Sequence, residues 1–335
     1  MKVNMKKLAI LALTALFFSG CATRPNGPGT FSFALIGDQQ YTRYEEQQFP
    51  YLLNAISQEK LAFVVHVGDF KAGINAPCTD TLFLKRKREF DESVHPFIYI
   101  PGDNDWVDCR RRSNGSADPL ERLGKLREIF FAQPESLGKN KLALTRQSET
   151  SAADTVLSRY RENMLWVVGE KNNAGVVFAT VNVQGSNDNQ GFDAASDREQ
   201  VERTYANLAW LKIAANRARG NDIIGLVVFL QANPGFEDAV ADVNKSGFKE
   251  FLAGFEREAI ALGKPVLFAH GDTHVFRINQ PYQSPLDRRL IANITRVEGY
   301  GSPVVNWVRI TVDANNRVQP FYIESGGFIP VSAVN

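Results

Sequence analysis

The chain has 335 residues and a formal net charge of +1, because 38 lysines and arginines nearly balance 37 aspartates and glutamates. Its length is enough for one large α/β domain or two small ones. The balanced charge, with no basic stripe along the sequence, argues against the basic surface that nucleic-acid binding requires.

The first twenty residues have the pattern of an export signal rather than of a folded element. Three lysines stand among the first seven residues, and the apolar run Leu8–Phe18 is too short to span a bilayer as a mature helix. The small residues Ser19 and Gly20 precede Cys21. This pattern resembles a bacterial lipoprotein signal, in which residues 1–20 are removed and Cys21 is lipidated. An ordinary secretory signal, cleaved near the same place, is the alternative.

The lipoprotein interpretation predicts a location in the bacterial cell envelope. Ala22, rather than an aspartate, follows the cysteine. This favours an outer-membrane protein that faces the periplasm and is held to the membrane by a lipid on Cys21. Residues 21–30 include a stretch rich in proline and glycine, so we expect them to form a tether before the folded domain.

Two further cysteines, Cys78 and Cys109, lie in the exported part of the chain. In an oxidising periplasm such a pair is expected to form a disulfide rather than a metal site. Closing this loop would stabilise the fold by roughly 3–4 kcal/mol in the chain-entropy model. Since Cys109 lies just beyond Gly102–Asp105, the bridge would also brace that loop.

Strand and helix patterns alternate through the first two thirds of the chain, as in an α/β protein. Strands are predicted at Phe31–Ile36, Leu61–Val67, Phe97–Ile100, Met164–Val168, Val176–Val183, Ile223–Leu230 and Val266–Ala269. Helices are predicted at Glu45–Gln58, Asp80–Glu92, Pro119–Phe131, Ser196–Arg219 and over most of Phe236–Leu262. Asp118 and Ser196 are the expected N-caps of the third and fourth helices. Residues 137–161 are polar and are interpreted as an insertion.

After Val266 the pattern changes to short strands separated by turn residues. These strands are predicted at Val275–Asn279, Leu290–Val297, Val304–Val312 and Val318–Glu324. Closely spaced short strands of this kind are typical of antiparallel sheet. The tail of the chain is therefore predicted to be antiparallel.

Five of the apolar runs end at a cluster of potential metal ligands. The clusters are Gly-Asp-Gln-Gln at 37–40, Gly-Asp at 68–69, Gly-Asp-Asn-Asp at 102–105, Gln-Ala-Asn at 231–233 and Gly-Asp-Thr-His at 271–274. Open α/β sheets bind ligands just beyond the carboxyl ends of their strands. The sequence therefore predicts a polynuclear metal site to which five segments contribute.

The order of these motifs resembles that of the calcineurin-like metallophosphoesterases. In that family they read Asp-x-His, Gly-Asp, Gly-Asn-His-Asp/Glu, a histidine after a strand, and Gly-His-x-His. The resemblance spans about Phe31 to Glu324. It implies a single α/β domain over residues 31–328, built as a four-layer α/β/β/α sandwich of two mixed sheets. It also implies a metal-dependent phosphoesterase, in which a hydroxide bound by two divalent metals hydrolyses a small-molecule phosphate ester or anhydride.

The resemblance assigns a role to each residue of the clusters. Asp69 would bridge both metals, and Asn104 stands where the family has the histidine that works near the leaving group. An amide cannot supply a proton. Asp105 is therefore a candidate acid, with a turn-capping role as its alternative. The implied metal ligands are Asp38, Gln40, Asp69, Asp103, Gln231, Asp272 and His274.

Four of the five histidine positions of the family carry Gln40, Asn104, Gln231 and Asp272 here, and each substitute still offers an oxygen. Oxygen-rich sites favour harder cations. We therefore expect two divalent metal ions that are Mn²⁺, Mg²⁺ or Ca²⁺ rather than Zn²⁺. A non-catalytic envelope protein that binds a metal or a phospho-ligand on the same fold is the competing hypothesis.

His66, His270 and Arg277 flank these motifs and are candidates for supporting or substrate contacts. The alternative for both histidines is a strand-end side chain hydrogen-bonded to backbone, and for Arg277 a surface role. The basic run Arg110–Arg112 follows one ligand loop and could meet an anionic substrate, although such runs are usually solvated surface. Other enzyme classes fit poorly, because the chain has neither a Gly-x-Gly-x-x-Gly after its first strand nor a Gly-x-Ser-x-Gly.

Overall fold

The computed structural model describes residues 24–169, 174–237, 242, 245–279, 282–283 and 288–331. The predicted signal peptide and Cys21 lie outside these residues. Within them, no helix is both long enough and apolar enough to cross a membrane.

The first sheet has five strands and carries the start and the end of the fold. Its strands are β1 (Thr30–Ile36), β2 (Val64–His66), β3 (Phe97–Tyr99), β13 (Val308–Asp313) and β14 (Phe321–Ser325). Their order is β14-β13-β1-β2-β3, with β1, β2 and β3 parallel and the other pairs antiparallel. The carboxyl ends of the three parallel strands therefore meet at one edge.

The second sheet has seven strands in the order β4-β5-β6-β7-β8-β12-β9. They are β4 (Thr145–Arg146), β5 (Met164–Val168), β6 (Gly175–Thr180), β7 (Ile223–Phe229), β8 (Val266–His270), β9 (Arg277–Asn279) and β12 (Ile294–Glu298). The four strands from β6 to β12 are parallel, whereas the pairs at both edges are antiparallel. A separate ribbon joins β10 (Tyr282–Gln283) to β11 (Leu290–Ile291).

In the described part of the chain, five helices of at least three turns connect the strands. They are α1 (Arg43–Ser57), α2 (Asp80–Asp91), α3 (Pro119–Phe130), α4 (Ala194–Ala218) and α5 (Lys249–Leu262). Thr42, Thr79 and Asp118 cap the first three by accepting a backbone N–H from the first turn. One-turn helical segments lie at Gln147–Thr150 and Gly185–Asp188, and 3₁₀ turns at Val107–Arg110, Arg112–Asn114 and Leu157–Arg159.

The two sheets face each other across an aromatic core. Phe33 in β1 and Phe63, just before β2, pack edge-on against Phe178 and Trp166 of the second sheet. Their ring centroids are 4.9–5.3 Å apart. Helices α1 and α2 cover the outer face of the first sheet, and α4 and α5 cover that of the second. This layering is the expected α/β/β/α sandwich.

Some sequence predictions need correction. The N-cap of α4 is Asp193, because its carboxylate accepts the backbone N–H of Ala195 and Ser196. The tail is not wholly antiparallel, since β12 pairs parallel with β8. The supposed insertion contributes β4 to the sheet edge. Helix α5 begins only at Lys249, and much of the earlier part of that predicted helix lies outside the described residues.

Candidate metal centre

Candidate ligands reach one place because they follow parallel strands of both sheets. Asp38, Asp69 and Asp103 come just after β1, β2 and β3, and Gln231 and Asp272 just after β7 and β8. Two hydrogen bonds join the two groups, and a third joins Asp103 to Ser186 in the turn after β6. The Asp272 amide donates to Asp38 Oδ2 (3.0 Å), Gln231 Nε2 donates to Asp69 Oδ2 (3.2 Å), and Ser186 Oγ donates to Asp103 Oδ2 (2.6 Å).

The backbone at this edge adopts conformations that side-chain-bearing residues rarely take. Left-handed φ angles between 52° and 87° occur at Asp38, Gln40, Asp69, Asp272 and His274. Such conformations cost of order 1–3 kcal/mol each and concentrate at functional sites. Their coincidence at five of the seven candidate ligand positions supports this edge as the candidate functional site.

Asp38 and His274 have the arrangement of metal ligands. Nδ1 of His274 lies 2.7 Å from the carbonyl of Ser302, which can only accept, so the neutral ring keeps its lone pair on Nε2. That nitrogen lies 3.9 Å from Asp38 Oδ1, a buried oxygen that has no hydrogen-bond partner among the described residues. A carbonyl that fixes the far nitrogen of a histidine is the usual support of a metal-binding imidazole.

Asp69 is the hub of the site. Its Oδ1 accepts the backbone N–H of Asn104 at 3.0 Å, and its Oδ2 accepts the hydroxyl of Tyr41 at 3.1 Å. The same hydroxyl accepts Nδ2 of Asn104 at 2.9 Å. Asp69 therefore lies between the first sheet's loops and Gln231 of the second sheet, which is the central position expected of a bridging carboxylate.

The carboxylates of Asp103 and Asp272 both lie close to Gly185. A side-chain carbon on Gly185 would lie 2.9 Å from Asp103 Oδ1 and 2.8 Å from Asp272 Oδ1. Any larger residue would displace both carboxylates. The turn after β6 thus leaves room for the two acidic groups to face one space.

Burial, followed by mutual repulsion, raises the pKa values of the carboxyls in this cluster. Burial, then Asp272, raises the pKa of Asp38 well above its usual value, and burial, then Asp103, does the same for Asp69. Burial and Asp103 raise the pKa of Asp272 to about 7. For these three carboxyls, every charge among the largest causes is another carboxylate, and the buried Lys71 acts first on Asp105 and only then on Asp69.

These residues fit a bound cation without being fully preassembled for one. Across the described parts of the chain, no group of three or more histidine, cysteine, aspartate or glutamate side chains already has metal-site spacing. The carboxylates are instead held by backbone, amide and hydroxyl donors. Among the described residues, the partnerless Asp38 Oδ1, the open Nε2 of His274, the buried carboxylates of Asp38, Asp69 and Asp103 and the half-buried carboxylate of Asp272 are the donor set that a hard divalent cation would satisfy.

Gln231 does not present its oxygen to this space. Its Nε2 faces Asp69 and Asp272, at 3.2 and 3.3 Å, while its Oε1 accepts the backbone N–H of Gly185 at 2.6 Å. Binding a metal through the amide oxygen would require the amide to rotate and release Gly185. In this arrangement Gln231 is a donor to carboxylates.

Asp105 is not available as an acid near the leaving group. Its Oδ2 accepts the amides of Asp69 and Gly102 and the hydroxyl of Tyr99, at 2.8–2.9 Å, and its Oδ1 accepts the amide of Phe70 at 3.0 Å. These four donors make Asp105 a clamp on the loops after β2 and β3. The turn-capping alternative therefore describes it, although burial raises the pKa of Asp105 to about 6.

Four other candidates lie beside the site rather than in it. Gln40 donates to Glu89 of α2 at 3.0 Å. The rings of His66 and His270 are buried, with Nδ1 hydrogen-bonded to the backbone of Gly68 and Gly271, and burial lowers the pKa of each to about 3. Both histidines are therefore strand-end side chains hydrogen-bonded to backbone, as the alternative interpretation states.

The guanidinium of Arg277 forms ion pairs with Glu237 and Glu298, each at 2.9 Å.

The sequence reasoning missed Tyr41, Ser186 and Asp108. Tyr41 follows the first motif directly and connects Asn104 to Asp69, so its proximity was a usable signal. Ser186 lies in a run of left-handed residues, and its hydroxyl lies 3.3 Å from Asp108 Oδ1 as well as beside Asp103. No sequence pattern pointed to that turn.

Cys78 and Cys109 are joined by a disulfide with their Cα atoms 5.7 Å apart. Cys109 Sγ lies 3.4 Å from the carbonyl oxygen of Asp105, and Cys78 Sγ lies 4.0 Å from that of Asn104. The predicted pairing is confirmed, and the bridge packs directly beneath the third ligand loop.

No protein-family model matches this chain, and no curated protein sequence matches it. Among solved structures, PhoD (alkaline phosphatase D) superposes with a TM-score of 0.53, covering 89% of this chain and 70% of PhoD at 13% identity. A dimetal phosphatase from Danio rerio gives a TM-score of 0.47, covering 84% of this chain and 92% of its own at 12% identity. Likeness at such identities concerns the fold. The two mixed sheets in one domain thus form the fold seen in PhoD, and the expected fold class is confirmed.

Proposed function

We propose that the protein is a metal-dependent phosphoesterase that hydrolyses a small-molecule phosphate ester or anhydride. One observation carries this proposal: the carboxylates that follow β1, β2, β3 and β8 converge with His274, whose Nε2 faces the partnerless Asp38 Oδ1 at 3.9 Å. Phosphoryl transfer by paired cations needs this kind of oxygen-rich cradle. The fold shared with PhoD is consistent with it.

The chain's own residues hold and orient the reactants. Asp38 and His274 would bind one cation, Asp103 and Asp272 the other, and Asp69 would bind both. Two divalent cations would supply Lewis acidity and a more acidic water. The oxygen-rich set favours Mn²⁺, Mg²⁺ or Ca²⁺ over Zn²⁺. Tyr41 fixes the Asn104 amide, which can donate a hydrogen bond to the leaving group but no proton.

The first test is turnover of 4-nitrophenyl phosphate and bis(4-nitrophenyl) phosphate with each of these cations. The Asp69→Asn variant is expected to lose at least about 10³-fold in kcat/KM, because the carboxylate shared by both cations loses its charge. Asp91→Asn is the matched control, since Asp91 only pairs with Lys87 on α2. Both leaving groups are good, which suits a site without an acid.

Two results would count against the enzyme. Turnover that survives in Asp69→Asn would mean that the activity comes from elsewhere. Metal binding without turnover by the wild type would favour the non-catalytic binder, for which the donor orientation of the Gln231 amide is the motivating observation.

We also propose that the protein is an envelope lipoprotein, anchored to the outer membrane through Cys21 and facing the periplasm. The disulfide between Cys78 and Cys109 supports an oxidising compartment. A Cys21→Ala variant expressed in a Gram-negative host is expected to move from the membrane fraction to the soluble fraction. Unchanged membrane association would contradict a lipid on Cys21.

A further inference from the structure

The basic run Arg110–Arg112 sends its side chains in different directions. The guanidinium of Arg110 lies 3.8 Å from the ring centre of Phe192 and donates to Asn189, on the far side of the loop. Arg112 is exposed to solvent. Arg111 instead turns back towards the segment after β2, where its Nη1 lies 2.7 Å from the Gly73 carbonyl. Only this arginine of the run is directed at the loops of the candidate metal centre.

Gly73 forms a small cradle beside Asn104. A side-chain carbon on Gly73 would lie 2.3 Å from Asn104 Oδ1, 2.8 Å from Asp108 Oδ2 and 3.1 Å from Arg111 Nη1. An amide, a carboxylate and a guanidinium thus crowd one point, where only a glycine fits without displacing them. The proposed function places Asn104 near the leaving group, so Arg111 lies beside that position.

Contacts with Gly73 and Asp108 orient the Arg111 guanidinium through one of its nitrogens. One terminal nitrogen contacts both the Gly73 carbonyl and Asp108 Oδ2, each at 2.7 Å. Across the described chain, Nη2 and Nε of Arg111 have no hydrogen-bonded acceptor, and 42% of the side chain is exposed. An oriented guanidinium with open donors is prepared to bind an anionic oxygen from solution.

Two hydrogen-bonded paths connect the cradle to the candidate ligands. On one side, Ser186 Oγ links Asp108 Oδ1 (3.3 Å) to Asp103 Oδ2 (2.6 Å). On the other, Tyr41 links Asn104 to Asp69. Arg111 is therefore one carboxylate and one hydroxyl away from Asp103.

We propose that Arg111 binds the leaving phosphate of a phosphoanhydride, and that this residue makes phosphoanhydrides the preferred substrates. The inference rests on the proposed phosphoesterase function. In the reaction, water forms the new P–O bond and releases its proton to solvent, and the bridging P–O bond breaks with its electron pair passing to the leaving phosphate. A phosphate leaves without first taking a proton, so Asn104 suffices where an alkoxide would need an acid. Arg111 offsets the charge that grows on the leaving group.

The test compares two substrates in the full-length protein with Mn²⁺. Hydrolysis of ADP releases AMP, whose phosphate is the leaving group, whereas hydrolysis of 4-nitrophenyl phosphate releases 4-nitrophenolate, which carries no phosphate. Arg111→Ala is expected to lower kcat/KM for ADP about 10- to 100-fold, the effect of losing a charged hydrogen bond, and to change the aryl phosphate less than about threefold. Arg111→Lys should fall between. Arg112→Ala removes the same charge from the same run and should leave both substrates unchanged.

Each outcome decides something. Equal loss on both substrates, or a parallel fall in melting temperature, would mean that Arg111 only supports the loop, and the inference fails while the phosphoesterase survives. No effect of Arg111→Ala on ADP overturns it as well. If the wild type hydrolyses neither substrate with Mn²⁺, Mg²⁺ or Ca²⁺, the proposed function fails and this inference fails with it.

Discussion

The metal-free protein is expected to lose stability as the pH rises from about 6.5 to 8, and divalent cations are expected to reverse that loss. Burial, then repulsion from Asp103, raises the pKa of both Asp108 and Asp272 to about 7. Their folded forms therefore hold protons that the unfolded chain, with pKa values near 4, has already released. Since the folded state binds more protons, its stability falls as the pH rises through the folded pKa.

Buried histidines act in the opposite direction, mainly at lower pH. Burial lowers the pKa of His66 and His270 to about 3, so folding excludes protons that the unfolded chain releases around pH 6.5. Their contribution is complete only about one pH unit higher, so it offsets part of the carboxylate effect. The net prediction is a decrease of about 1 kcal/mol in the free energy of unfolding between pH 6.5 and 8.

A bound cation removes the cause of this slope by neutralising the repulsion among the carboxylates. At a concentration of 100 times its dissociation constant, the metal adds about 2.7 kcal/mol to the stability of the folded state. The gain is expected to be larger at pH 8 than at pH 6.5, because fewer protons must leave before the metal binds. Urea unfolding at both pH values, with EDTA or with Mn²⁺, measures the two effects.

Asp272→Asn provides the internal control. It removes one titrating carboxylate, so its metal-free stability should depend less on pH and its gain from Mn²⁺ should shrink. Asp91→Asn, outside the site, should match the wild type in both respects. A metal-free stability that rises between pH 6.5 and 8, or that Mn²⁺ leaves unchanged, would contradict a cation site among these carboxylates.

The sequence could predict the edge at which the site forms, because strand ends are marked by apolar runs. Asp38, Asp69 and Asp103 follow such runs directly, and the parallel order of β1, β2 and β3 brings them together. Apolar periodicity does not reveal which strands become neighbours. The parallel pairing of β12 with β8 was therefore missed, since a short strand in a turn-rich tail has the same local pattern in either direction.

Side-chain direction at the site could not be predicted from the motifs. Asn104 and Asp105 are adjacent, yet one faces Tyr41 and the other clamps the amides of the loops behind it. Within a turn, neighbouring residues point in unrelated directions, and left-handed backbone at Gln40 turns that side chain towards α2. Such details depend on tertiary contacts, here the hydrogen bonds that buried polar groups must find.

Removing the disulfide is expected to lower the free energy of unfolding by roughly 3–4 kcal/mol in the chain-entropy model, because the closed loop spans a sequence separation of 31. The Cys78→Ala/Cys109→Ala double variant tests this by urea unfolding. Both half-cystines are at least 95% buried, so alanine leaves no unpaired polar group behind. Reduction of the wild-type disulfide should lower the free energy of unfolding to about that of the double variant. The same reductant should leave the double variant unchanged.

The same variant should also lose activity, since the bridge supports the loop that positions Asp69. Cys109 packs against the Asp105 carbonyl, and the Asp105 carboxylate holds the backbone N–H of Asp69 at 2.9 Å. A looser loop would disturb the carboxylate that both cations share, so metal affinity should fall together with kcat/KM. Stability within about 1 kcal/mol of the wild type would contradict the chain-entropy expectation. A destabilised variant with unchanged metal affinity would show instead that the bridge stabilises the fold without positioning the site.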